Sequence, residues 1–217
     1  DHRDLHSFPT RRSSDLGTIV EEGGHTAIVP SKRLVTNAKR KSEPKSSRKG
    51  EPSFFMSESM KRLSTPWSVA SIRARQIDPM ALPAGVILDA AAGSGIQLIA
   101  FSKILKRPAL GVEIDRDVAK LCAANMYLNS EGDVQRSLDR VLVGDGCSAE
   151  SAVSTYWSSL REAGTRAHPP VAMLHIDPAR PRDAQNHSLD EMEPDIKSVL
   201  KGRSEEHTSE LQSQPDL

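Results

Sequence analysis

Asp89-Ala90-Ala91-Ala92-Gly93-Ser94-Gly95 places a carboxylate directly before a glycine-rich turn. Glycines there permit a tight bend and let a ligand approach the backbone closely. A carboxylate at that point would oppose a pyrophosphate and would suit a ligand carrying an amine and a sulfonium. The nicotinamide-type fingerprint needs a third small residue three positions beyond Gly95, and Leu98 stands there instead. Three more acids follow at intervals. Glu113 lies eighteen residues after Gly95, where a carboxylate can accept hydrogen bonds from both hydroxyls of a ribose. Asp145 suits an exocyclic adenine amine, and Asp177 precedes Pro178-Ala179-Arg180.

These acids matter only if one frame brings them together. Gly85–Ala90, Ala109–Asp115, Arg140–Asp145 and Val171–Pro178 read as strands. Gly95–Arg107, Arg116–Ser130, Ser148–Gly164 and Ser188–Lys201 read as helices, with Pro194 breaking or starting the last. That alternation predicts a parallel sheet with right-handed crossovers and helices on both faces. Each strand then ends in one of the four acids, at the edge where open α/β sheets bind ligands. Pro66–Met80 reads as a further helix, with Val69, Ile72 and Ile77 on its packing face. Asp115 and Asp117 flank a helix start and read as caps rather than ligand contacts.

The ordered set DAAAGSG, VEID, GDG and IDPAR resembles the four motifs of the class I S-adenosylmethionine-dependent methyltransferases. The resemblance covers roughly residues 65–202 and looks nearest to RNA-modifying, THUMP-like members. It implies an α/β, Rossmann-like methyltransferase fold. About four of the usual seven strands would be present, in spatial order 3-2-1-4. It also implies roles. Asp89, Ala91, Gly93 and Gly95 would frame the methionine end of the cofactor, and Glu113 with Ile114 would hold the ribose. Asp145 and Gly146 would contact adenine. Asp177, Pro178 and Arg180 would lie beside the transferring methyl group. The fourth motif departs from the Asn/Asp-Pro-Pro-Tyr/Phe of enzymes that methylate exocyclic base amines. No Cys near it offers the nucleophile that carbon-5 pyrimidine methylation needs. The acceptor implied is tRNA or rRNA. A protein or small-molecule acceptor, or a non-catalytic nucleotide- or RNA-binding module of the same fold, are the alternatives.

The 217 residues are 37% hydrophobic, 27% charged and 4% aromatic, which disfavours a base-stacking surface built on many aromatic side chains. There is no apolar run of about 18 residues that would span a membrane. Two cysteines, Cys122 and Cys147, exclude a disulfide scaffold and a four-Cys zinc site. They fit a reducing compartment, so a cytoplasmic location is expected, and both read as structural thiols. No metal site is expected, because His, Cys and carboxylates do not gather at ligand spacing. His175 reads as a satisfied strand histidine, His168 and His187 as loop residues, and Trp67, Tyr156 and Trp157 as packing residues.

The remaining segments are set apart by composition. Residues 17–36 suggest a hairpin, either the tail of a preceding domain or the start of this one. Residues 37–64 read as a disordered basic linker. Lys32, Arg33, Lys39, Arg40, Lys41, Lys45, Arg48 and Lys49 stand against Glu43 alone. That run is either a solvated linker or a phosphate-binding arm for RNA. Residues 1–16 and 203–217 resemble translated sequencing-library adapters, so His2, His6 and His207 are not counted as ligands. On that reading, 65–202 is part of a domain. Its fourth strand would be an exposed apolar edge, and the fragment would be inactive and poorly soluble.

Overall fold

A computed structural model describes residues 19–22, 25–130, 138–162, 169–178 and 192–201. Both adapter-like ends, Ala179 and Arg180, His168 and His187 lie outside the described residues. The elements run β1 (Ile19–Glu22), β2 (His25–Ile28), α1 (Lys32–Lys39), α2 (Glu58–Leu63), α3 (Trp67–Arg75) and β3 (Val86–Asp89). They continue with α4 (Ile96–Leu105), β4 (Ala109–Glu113), α5 (Arg116–Asn129), β5 (Arg140–Val143), α6 (Ala149–Glu162) and β6 (Val171–His175). Residues 196–201 form one further helical stretch. Asp195 caps it, accepting from the backbone N–H of Lys197 and Ser198 at 3.2 Å each.

The sheet has six strands in the order β1-β2-β5-β4-β3-β6. Four of them, β5-β4-β3-β6, are mutually parallel. The four expected strands therefore form in the expected 3-2-1-4 order, and the architecture is α/β and compatible with a Rossmann-like fold. Two strands more than expected are present. The hairpin β1–β2 is not a remnant of something else, because β2 pairs antiparallel with β5, Ala27 opposite Leu142.

Period-two alternation sorts the strand side chains between the two faces. Ala27, Val86, Leu88, Leu110, Val112 and Leu142 form one core with Val153 and Tyr156 of α6. Ile28, Ile87, Ala109 and Val141 join the opposite core with α1, α3, α4 and α5. Helices thus cover both faces, as a parallel sheet requires. Among the described strands β6 pairs with β3 alone, at the edge of the sheet, and its residues are all half-buried. No helix among the described residues is long and apolar enough to cross a membrane.

Two expectations are overturned by packing. The disordered linker over 37–64 is instead ordered. Leu34 and Ala38 of α1 are buried, as are Phe54 and Phe55 beyond it. An antiparallel bridge between Lys45 and Phe54 closes the intervening turn. Ser57 caps α2 by accepting from the Met60 N–H at 3.3 Å. The second correction concerns α3. Val69 and Ile72 are 41% and 55% exposed, whereas Ala70, Ser71 and Ala74 are buried. Small residues let α3 sit close on α4, and the Gln97 amide donates to the Ala70 carbonyl at 3.2 Å across that contact.

At the opposite end of the sheet from the acids, Asp139 is buried and accepts from the Ala109 N–H at 2.9 Å. Burial lifts its carboxyl from 3.8 to about 7. The folded state therefore favours the protonated acid, and the stability it confers is lost as pH rises through about 7. Urea unfolding should show a loss on the order of 4 kcal/mol at most between the usual carboxylate range and pH 8. Asp139→Asn keeps the acceptor and cannot ionise, so most of that slope should vanish from pH 5 to 8. An unchanged slope in that variant would assign the dependence elsewhere.

Candidate functional site

The loop after β3 is built by short contacts to its neighbours. Asp89 is 1% exposed, and its Oδ1 accepts from the Ala91 N–H at 3.1 Å. The Ala92 N–H donates to the Val112 carbonyl at 2.9 Å, which seats the loop on β4. Gly95 precedes the first turn of α4 with φ +79, the left-handed region that favours glycine. A side chain there would also stand 2.7 Å from the Cys122 Sγ.

Glu113 ties the loop from the other side. Its Oε2 accepts from the Gly93 N–H at 3.0 Å and its Oε1 from the Asp115 N–H at 2.9 Å. Burial still pushes its carboxyl above the usual range, against those hydrogen bonds. Asp115 caps α5 as expected, accepting from Asp117 and Val118 N–H at 2.8 and 3.1 Å. Asp117 pairs instead with Lys120 at 2.7 Å. After β5, Asp145 is exposed and accepts from the Cys147 N–H at 2.9 Å. Gly146 is packed so tightly that a Cβ would stand 2.0 Å from the Ala90 carbonyl oxygen. Beyond β6, one oxygen of Asp177 accepts from Thr65 Oγ1 at 3.1 Å and from the Arg73 guanidinium at 3.2 Å.

These ends enclose one cleft of about 900 Å³. Asp89, Ala91, Gly93, Glu113, Ile114, Asp145, Gly146, Asp177 and Pro178 all line it. Gly95 does not line it and serves the packing of the loop on α5. Ile114 is 73% exposed at the lip, an apolar side chain beside open space. Glu193 and Asp195 add two more acids from the segment before the last helical stretch. Six carboxylates, and no Lys or Arg, are among the described residues that line it. Such a cleft repels phosphate and attracts cations.

Several residues of the site carry no sequence motif of their own. Ser64 and Thr65 reach the cleft from the segment between α2 and α3, and Arg73 holds Asp177 from behind. The satisfied histidine expected at position 175 is not found. Its buried Nδ1 lies 3.2 Å from the Asp89 carboxylate, off the hydrogen-bonding line, and has no hydrogen-bond partner. The ring meets Phe101 edge-on with centroids 5.0 Å apart. His175 also lines the cleft. Its position two residues before Asp177 in a parallel strand was the available signal, since both then point to one sheet face.

The thiols divide. Cys122 is fully buried, and burial with the nearby Asp89 and Glu113 charges pushes it well above its ordinary range. Cys147 is half-buried at the cleft wall, and burial and Asp145 raise it as well. Neither is an activated nucleophile. Tyr156 is buried, Trp67 packs on Phe54 at 5.9 Å, and the Trp157 indole donates to the Pro169 carbonyl at 3.3 Å. No group of three or more His, Cys, Asp or Glu able to hold a metal ion occurs among the described residues. No family model matches the chain, and neither a curated protein nor a solved structure matches it.

Proposed function

We propose that the cleft binds S-adenosylmethionine and that the chain carries the cofactor site of an RNA methyltransferase. One observation carries this reading. Among the described residues, a cleft at the C-terminal ends of four parallel strands is lined by six carboxylates and by no Lys or Arg. A dinucleotide or nucleoside triphosphate would be repelled there, whereas a ligand with a sulfonium and an ammonium gains from the acids that no cation already pairs.

The residues present fit that group. Asp89 offers a buried carboxylate to a cationic centre, and the first turn of α4 leaves N–H groups free for the ligand's own carboxylate. The Glu113 oxygens accept from the Gly93 and Asp115 N–H and still have lone-pair capacity for a ribose hydroxyl. Asp145 stands exposed for an amine, and Ile114 offers an apolar face beside it. The cofactor supplies an electrophilic methyl group. The protein's part is to position and to complement charge. Thr65 and Arg73 fix the Asp177 carboxylate at the rim where an acceptor enters. RNA as the acceptor is supported by the eight cations between Lys32 and Lys49.

Calorimetry on the full chain tests the cofactor. S-adenosylmethionine and S-adenosylhomocysteine should both bind, and ATP and NAD should not. Asp89→Asn keeps the acceptor for Ala91 and removes the charge, so binding of S-adenosylmethionine should weaken about 10- to 100-fold. Binding of ATP in preference to either compound would end the proposal.

A further inference from the structure

We infer that α1 and the turn after it form a fixed cationic ridge that grips the phosphate backbone of helical RNA. The inference deepens the reading of the acceptor as RNA and rests on it. The eight cations from Lys32 to Lys49 are all exposed. None of them makes a salt bridge with a described residue. They are not carried on a floppy chain. Leu34 and Ala38 anchor α1, and Phe54 and Phe55 anchor the far end of the turn, all in the core against α5. Asn125 of α5 clamps Phe55 by accepting from its N–H at 2.7 Å and donating to its carbonyl at 2.9 Å. The backbone that carries the cations is thus ordered before any partner arrives, which lowers the entropic cost of binding.

The chemistry of the ridge selects among polyanions. An amphipathic helix binds a lipid surface through a free apolar face, and here that face is spent in the core. Single-stranded RNA is held by stacking on aromatic side chains. The two aromatic residues of this segment, Phe54 and Phe55, are buried. What remains is charge without stacking or apolar contact, which suits a regular phosphate backbone and reads no sequence. The chain beyond Phe55 runs directly through α2 to Ser64 and Thr65 on the cleft wall. The same stretch of chain thus leads from the ridge to the wall of the cleft, whose acids repel phosphates.

Fluorescence anisotropy on the full chain tests this with a labelled RNA duplex of about 20 base pairs. Binding should fall steeply with salt, with log affinity against log salt sloping about −4 to −5 for five phosphates contacted. Lys39→Glu/Arg40→Glu/Lys41→Glu should weaken binding at least 10-fold and flatten the slope by about 3. Arg161→Glu, on α6 across the sheet, should leave it unchanged. Circular dichroism and S-adenosylhomocysteine binding should be intact in both variants, so failure here and failure of the cofactor reading are separable. The inference is overturned if the triple variant binds duplex normally. It is equally overturned if an unstructured single strand, a polyglutamate peptide or anionic vesicles bind as tightly as duplex.

Discussion

Asn125→Ala is expected to lower the free energy of unfolding by about 3 kcal/mol, the larger part from three backbone groups left buried without partners. Asn125 is wholly buried, and its amide serves both sides of a seam. On one side it pairs with the N–H and carbonyl of Phe55. On the other it donates to the Ser94 carbonyl at 2.9 Å, inside the glycine loop. Water cannot replace these contacts in a closed core. The variant should therefore loosen the N-terminal arm and the loop together, and affinity for S-adenosylhomocysteine should fall with stability. Asn129→Ala is the control. Asn129 is also buried, but its amide meets only two carbonyls, Ser53 in a half-buried contact and Asn125, at 3.0 Å each, so the loss should be smaller, about 1–2 kcal/mol. Urea melts of the two variants decide the matter. Equal losses would mean that the arm is held by its phenylalanines alone.

Gly146→Ala should be nearly as damaging, for steric reasons only. The added Cβ would meet the Ala90 carbonyl oxygen at 2.0 Å and its carbon at 3.0 Å, and both are backbone atoms at the end of β3. No rotamer change relieves that clash, so the loop after β5 must lift. Asp145 and Cys147 move with it, and the cleft loses one wall. A destabilisation of about 2–3 kcal/mol is expected, with cofactor affinity falling further than stability explains. Gly144→Ala, two residues earlier, has nothing within 4 Å of the new atom and should cost less than about 0.5 kcal/mol. Thermal melts and calorimetry on the pair compare crowding with mere loss of a glycine. Similar results for both would show that the loop is free to shift.

Much of the frame is legible in the sequence because apolar runs and turn residues repeat in phase. β3, β4, β5 and β6 each follow from such a run, and the acids that end them follow from the same reading. What periodicity cannot convey is how short elements are held. α1 offers only Leu34, Val35 and Ala38 as apolar residues among many charges, so local composition points to a linker. Its order comes from contacts as distant as Phe55 with Asn125, seventy residues on. The paired phenylalanines inside a polar stretch were the one local clue. α3 misleads in the opposite way. Val69 and Ile72 face outward because alanines permit a closer helix contact, and a rule that sends the larger aliphatic residues inward selects the wrong face. Arg73 and Thr65 carry no motif at all, and only the fold brings them to Asp177.

The antiparallel pairing of β2 with β5 fixes an order of events during synthesis. The hairpin β1–β2 is translated long before Arg140–Val143, the described strand that its inner edge joins. Phe54 and Phe55 likewise wait for α5 to be made. Contacts of such sequence separation form late, because loop closure must be paid before they reward it. The hairpin and the arm can thus dock only after β5 and α5 have been made. While they wait, they present an unpaired strand edge and two bare phenyl rings to the cell.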